Sequence, residues 1–462
     1  MNTGQSLRLK IADWLPAGVL GLALILGGGG SPAPLPEIAL QIAVAALALA
    51  WWWLQPRPVF TGIARPALVI GAVLLVLPLV QLVPLPPLLW QALPGRGNAR
   101  DALDLVGSAQ NWRPLSLSPQ RTLAALLAVI PAVIMLVMAS TADRLGRARL
   151  IATIAVGALA TMVLGAAQIS GGPDSALRLY GAGTIFLEGF QANHNSTADV
   201  LLLGMIAATA WIRESALGKG RLPNRSGVVL SLGLAVTLFL GLGVVLTASR
   251  MGIALLPVAA LANVLLLRPW LAWSGRTLAA GLAIAAGIGL VGILALSRDD
   301  MLGRVGARFA ITGEQRPDLW ADSLFAARDY FPVGVGMGNF VPALLAGERL
   351  EVVQAAVPNR AHNDYLELLV EAGLAGIVAL SIVAAALGRT LWQARRDPPT
   401  GSRALAVVGG MSLLVLALHS LVDYPLRSMS IALAAAACAG IVMPLRVARV
   451  RQDQSASLED TR

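Results

Sequence analysis

His362, Asn363, Asp364 and Tyr365 follow one another where a polar, arginine-rich stretch, residues 299–364, gives way to an apolar run. A histidine, with an unperturbed pKa of about 6.5, can exchange a proton near neutral pH, and Asp364 sets a carboxylate close to it in the chain. Arginine supplies planar, paired donors suited to phosphate oxygens. Two arginines fit that description: Arg250, in Leu-Thr-Ala-Ser-Arg-Met-Gly, and Arg316, in Arg-Pro-Asp-Leu-Trp. Charged groups are costly in lipid, so residues of these types gathered at one membrane mouth mark where chemistry is expected. From Asn363 the chain continues with Glu367 and Glu371 at i+4 and i+8, on one helical face. That stripe must face protein or a water-filled cavity if the helix crosses lipid.

The elements that position these groups are apolar helices. The 462 residues are 56% hydrophobic and 13% charged, with a mean hydropathy of +0.72, which excludes a soluble domain and specifies an all-α, polytopic membrane protein. About twelve apolar runs are long enough to be spans: 14–27, 38–54, 68–83, 123–138, 151–169, 198–212, 228–246, 253–267, 278–296, 365–387, 405–421 and 431–444. The first is read as a retained helix and not a cleaved signal, because so many spans follow it. The single cysteine, Cys438, lies in the last run, so no intramolecular disulfide is possible and a thiol nucleophile is not expected.

Orientation comes from basic residues counted loop by loop. With Arg8 and Lys10 inside, every inside connection is basic: Arg57 and Arg65; Arg144, Arg147 and Arg149; Arg213, Lys219, Arg221 and Arg225; Arg268 and Arg276; Arg389, Arg395, Arg396 and Arg403. Both termini are then cytoplasmic and residues 299–364 form a large outer loop. The +10 net charge is thereby a topology signal, and no nucleic-acid partner is expected. In the loop, Pro317 sits in the first turn of an expected amphipathic helix lying at the outer surface. Its apolar face is Trp320, Leu324 and Ala327, and it stops near Pro332. Gly334, Gly336 and Gly338 read as backbone freedom in a re-entering loop rather than a nucleotide site.

The same topology places all three histidines, His194, His362 and His419, at or near the outer face, with Asn193 and Asn195 beside His194 and with Asp423 and Arg427 after His419. Two readings stay open for several of them. Arg250 is either a snorkelling anchor or a contact to a lipid-linked phosphate, His194 packs a loop or touches substrate, and His419 next to Asp423 is either a structural hydrogen-bond pair or a catalyst. The expected substrate contacts are Asn363, Tyr365, Glu367, His194 and Asn195.

The segment from Ala361 to Gly376, AHNDYLELLVEAGLAG, taken with LTASRMG, RPDLW and PVGVGMGNF, resembles the O-antigen ligase and polymerase superfamily. The ligase-type pattern falls on His362, Asn363, Gly373 and Gly376. What the resemblance implies is glycosyl transfer at the periplasmic face of the bacterial inner membrane. The donor would be a glycan on undecaprenyl pyrophosphate and the acceptor a hydroxyl of lipid A-core or of another glycan. Arg250 and Arg316 would hold the pyrophosphate and His362 would act on the acceptor hydroxyl, with Asp364 the competing base. A pyrophosphate is a good leaving group needing charge stabilisation more than protonation, so no metal or other cofactor is expected, and a single displacement inverts the anomeric carbon. The organisation expected is 1–227, N-terminal spans; 228–388, the catalytic region with its loop; 389–462, C-terminal spans and a cytoplasmic tail.

Ligase is the first expectation. No paired Arg-x10-Gly loops of the kind associated with some polymerases are found, since Ala327 and Glu371 occupy the glycine positions after Arg316 and Arg360. The absence of an added domain after the last span disfavours protein O-oligosaccharyl transfer. A transporter or flippase would need ionisable groups near the bilayer midplane, whereas the polar groups here gather at one face. A purely structural envelope role is the remaining alternative.

Overall fold

In the computed structural model the described residues are 8, 10–29, 34–55, 62–181, 184–217, 226–267, 316–349, 351, 353, 357–396 and 402–444. Helices coincide with every expected span except 278–296, which lies outside the described residues: α1 (Leu15–Leu26), α2 (Pro34–Leu54), α3 (Arg65–Gln81), α6 (Pro119–Thr141), α7 (Arg144–Ser170), α8 (His194–Leu217), α9 (Ser226–Leu246), α10 (Arg250–Leu267), α13 (Asp364–Ala394), α14 (Ser402–His419) and α15 (Met429–Val442). Among the described residues six helices are long and apolar enough to cross a membrane and four more are shorter and apolar. The protein is an all-α polytopic membrane protein. Between α3 and α6 lie two short helices, α4 (Pro87–Gln91) and α5 (Gly97–Leu105). They are bracketed by a two-residue antiparallel pair in which Pro84 faces Pro114 and Leu85 faces Arg113.

The bundle is organised around α8. In its most apolar window 83% of residues are buried inside the protein, against 44% or less for the other long spans. It packs against α7, α9, α10 and α14. Small residues allow this: a Cβ on Gly204 would come within 2.1 Å of the Ala158 Cβ on α7, so glycine is what lets two backbones approach closely. Helices at the margin turn large apolar side chains outward instead, as Ile42 and Leu49 of α2 and Ile377 and Val378 of α13 do. Not every basic residue of the inside connections is a solvated topology charge. Arg147 is 1% exposed and donates to the carbonyls of Ile441 (2.8 Å) and Met443 (2.6 Å), satisfying the end of α15.

At the opposite end, α11 (Arg316–Asp329) and α12 (Phe340–Gly347) form a cap. The cap has its own apolar cluster of Ala326, Ala327, Tyr330, Val335, Phe340, Ala343 and Leu344, closed by Ala361 and Val370. The expected apolar face of α11 is corrected here. Leu324 is exposed, and the buried face is Asp322, Ser323, Ala326 and Ala327. That face repeats at i, i+1, i+4 and i+5, and tertiary contact with α12 and α13 selected it over the more apolar stripe.

The cap is tied to α13 at a break in that helix. Gly373 has φ +52 and ψ −135, and a Cβ there would lie 2.2 Å from the Pro332 oxygen. The helical bonds lost at the break are replaced by the loop ahead of α12. Val335 N–H donates to Val370 O (3.1 Å), Gly336 N–H to Glu371 O (2.8 Å), and Leu374 N–H to Pro332 O (2.8 Å). Gly334, Gly336 and Gly338 all have positive φ, which lets successive amides of one short loop reach a neighbouring backbone. The glycine run is thus a structural clasp.

Candidate active site

The first residues of α13 are held from two sides. Asp364 N–H donates to the carbonyls of Ser420 (3.0 Å) and Asp423 (3.2 Å). The Asn363 side chain caps the helix by accepting from Leu366 N–H at 3.0 Å. Two residues earlier, Ala361 N–H donates to Glu367 Oε2 (3.0 Å) and its carbonyl accepts from Trp320 Nε1 (2.9 Å). Between these anchors His362 is forced to φ +48, an uncommon conformation for a side-chain-bearing residue that costs on the order of 1 kcal/mol or more.

That backbone delivers His362 Nδ1 to Asp423 Oδ1 at 3.0 Å, while the imidazole stays 30% exposed and Asp423 only 4%. The Tyr424 ring meets it edge-on at 4.9 Å between centroids. Burial pushes the Asp423 carboxyl up, but the hydrogen bond from His362, the charge of His419 and a hydrogen bond from Asn195 outweigh it and hold the pKa below the usual value. An ionised carboxylate can only accept, so Nδ1 carries the proton. Nε2, which has no hydrogen-bond partner among the described residues, is the acceptor in the neutral ring.

Beside this pair is a cleft lined by Asn195, Arg250, Met251, Arg316, His419 and Val422. Arg250 begins α10 immediately after a tight turn in which Ala248 has φ +52 and Ser249 Oγ accepts from Gly252 N–H (3.1 Å). Arg316 begins α11. Both expected phosphate arginines therefore reach one cleft, and Asn195 is part of the same lining. His194 begins α8 next to the cleft without lining it, its ring 5.6 Å from that of Phe186.

His419 is not paired with Asp423 as the i, i+4 spacing suggests. Their backbones are joined, Asp423 N–H to His419 O at 3.0 Å, but the side chains part. Asp423 goes to His362, and His419 Nδ1 lies 2.7 Å from Asp199 Oδ1 on α8, with both side chains 1% exposed. Sequence reasoning missed Asp199 as a partner. The signal was a lone acid at the start of an otherwise apolar run.

Below His362 the polar stripe faces protein. Arg427 Nη2 reaches Glu371 Oε2 (2.9 Å) and Glu367 Oε1 (3.4 Å), and its Nε lies 3.5 Å from Asp364 Oδ1. Arg360 Nη1 takes the same Glu367 oxygen at 2.9 Å. Burial opposes charge on Arg427, but Glu367, Glu371 and Asp364 push its pKa up. Glu367 and Glu371 are fully buried, and Gly338 N–H donates to the second Glu371 oxygen at 2.8 Å. Asp364 also accepts from Ser420 Oγ (2.9 Å), and Tyr365 donates to Ala417 O (2.7 Å). The geometry thus commits Asp364, Glu367 and Tyr365 to partners within the protein, while Arg250, Arg316 and Asn195 line the cleft and His362 is 30% exposed. Among the described residues no group of three or more His, Cys, Asp or Glu is arranged to hold a metal ion.

No curated protein matches the chain. Residues 235–381, the stretch that carries Arg250, Arg316 and His362, match the family model described as O-antigen ligase.

Proposed function

We propose that the protein transfers a glycan from undecaprenyl pyrophosphate to an acceptor sugar hydroxyl, as an O-antigen ligase acting on lipid A-core. The match of residues 235–381 to the O-antigen ligase family model supports glycosyl transfer of the O-antigen ligase and polymerase kind in general. The observation that carries the finer reading is convergence. Arg250 and Arg316, 66 residues apart in sequence (316 − 250), line one cleft with Val422, and the next residue, Asp423, holds His362.

In this reading the acceptor hydroxyl gives its proton to Nε2 of His362 as its oxygen bonds to the anomeric carbon. The bond from that carbon to the phosphate oxygen breaks, and the leaving pyrophosphate keeps the electron pair, its charge met by Arg250 and Arg316. Configuration inverts, and neither a metal nor another cofactor is required. Asn195 and Asn363 border the sugar, and Asp364 supports the helix start. The catalytic unit is 228–388, with 1–227 and 389–462 supplying the walls from α8 and the 419–424 turn. The site faces the periplasm from the inner membrane, with both termini cytoplasmic.

The test is reconstitution. Purified protein, lipid-pyrophosphate glycan and lipid A-core are combined in the presence of a chelator, and the product linkage is read by NMR. Inverted product on lipid A-core supports the proposal. A requirement for divalent metal overturns the arginine-only scheme, and transfer confined to a second lipid-linked repeat or to a peptide overturns the ligase assignment.

A further inference from the structure

Two of the three histidines of the chain form pairs with aspartate, and the proton-transfer scheme uses only one. The other, His419–Asp199, is the most buried ionisable pair in the cleft region, both side chains being 1% exposed. As a purely structural tie it is poorly built. Asp199 Oδ2 is buried without a hydrogen-bond partner among the described residues, which for a carboxylate is costly. Two packed apolar side chains would join α8 to α14 without that cost.

The pair does sit in a place where its chemistry has a use. His419 lines the cleft together with Arg250, Arg316 and Asn195. Its Nδ1 is committed to Asp199, so the nitrogen left for the cleft is Nε2. The charged groups around it are Asp199 from α8, Asp423 from the following turn and Arg316 from α11. With both ring nitrogens protonated, His419 donates to Asp199 on one side and to an anion in the cleft on the other. The buried carboxylate fixes ring orientation, as second-layer carboxylates do for ligand-binding imidazoles.

We propose that His419, oriented by Asp199, is a third donor to the diphosphate of the lipid-linked substrate, alongside Arg250 and Arg316. Asp199 is a positioning residue and does not touch substrate. Because Asp423 follows His419 by a single helical turn, one short turn then carries both a contact to the leaving group and the carboxylate that orients the base. The inference rests on the reading of the cleft as the diphosphate site, and its test separates the two.

With only three histidines, protein labelled with 15N-histidine gives three ring systems, assignable from His194→Gln and His362→Gln variants. Inorganic pyrophosphate is titrated into the wild-type protein in nanodiscs with chelator present, following the histidine signals and, in parallel, the phosphorus signal. The expected result is a saturable shift of the His419 ring signals that persists in His362→Gln and is lost in Arg250→Ala. Saturable pyrophosphate binding with His419 unmoved overturns this inference and leaves the arginine site standing. No pyrophosphate binding overturns the cleft reading and the inference with it. A kinetic split adds a second measure. His419→Gln and Asp199→Asn should each raise KM for the lipid-linked donor about tenfold, the loss expected for one charge-assisted hydrogen bond, with KM for the acceptor unchanged. An unchanged donor KM in a folded His419→Gln protein counts against the proposal.

Discussion

The two histidine–aspartate pairs use the same atoms. Nδ1 meets Oδ1 at 3.0 Å in His362–Asp423 and at 2.7 Å in His419–Asp199, but the first imidazole is 30% exposed and the second 1%. The first stands on a strained residue between two helix ends; the second bridges two packed helices. Exposure decides what such a pair can do. A ring that opens to solvent can exchange a proton with an incoming hydroxyl, whereas a buried one can only hold a proton in place and present it.

The sharpest way to break this contrast is to remove the exposed ring. His362→Gln keeps the approximate shape and should lower the transfer rate on the order of 10³-fold, within the range for losing a general base, with the thermal melt little changed. Next in size is Asp423→Asn. An amide can donate to Nδ1, which turns the acceptor nitrogen away from substrate, and kcat should fall about 10²-fold. If Asp423→Asn and Asp199→Asn alter kcat equally, the two pairs are equivalent and the contrast fails. A smaller effect belongs to the cleft. Arg250→Lys keeps the charge and loses the paired donors, so kcat/KM for the donor should fall about tenfold.

The smallest prediction concerns acid. Asp423 has a folded pKa below its ordinary carboxylate value, so the unfolded state binds its proton first as pH falls. The stability it contributes is fully present above the unfolded carboxylate pKa of about 3.9 and is lost as pH drops through the lower folded value. Melting curves of wild type and Asp423→Asn should still differ at about pH 5 and converge only below about pH 4. Convergence already near pH 6 contradicts an ionised Asp423.

These pairs also mark where the sequence is readable. Spans are legible because lipid demands unbroken apolar runs, and helices cover each expected run that lies in the described residues. The tight turn before Arg250 is legible because almost no loop separates α9 from α10. The polar stripe of Glu367 and Glu371 was rightly required to face something other than lipid, though its arginine partners, Arg360 and Arg427, carry no periodic signal. Pairing of the histidines was not legible. Local spacing offers His419–Asp423, but the partners chosen lie 220 and 61 residues apart, set by how α8, α13 and α14 meet. The buried face of α11 failed for a related reason: a small, partly polar face fitted its neighbours better than Leu324 did.

The break at Gly373 has a consequence for how the protein is made. Its open carbonyls, Val370 and Glu371, are served by amides of residues 335 and 336, which precede α13 in the chain. In the topology proposed here, those amides are already across the membrane when α13 leaves the ribosome. The discontinuous helix then meets its donors on arrival and does not wait in lipid with bare carbonyls, where each would cost several kcal/mol. Synthesis order and hydrogen-bond order coincide, and a circular permutation that placed residues 332–339 after α13 would remove that coincidence without changing any contact in the finished fold.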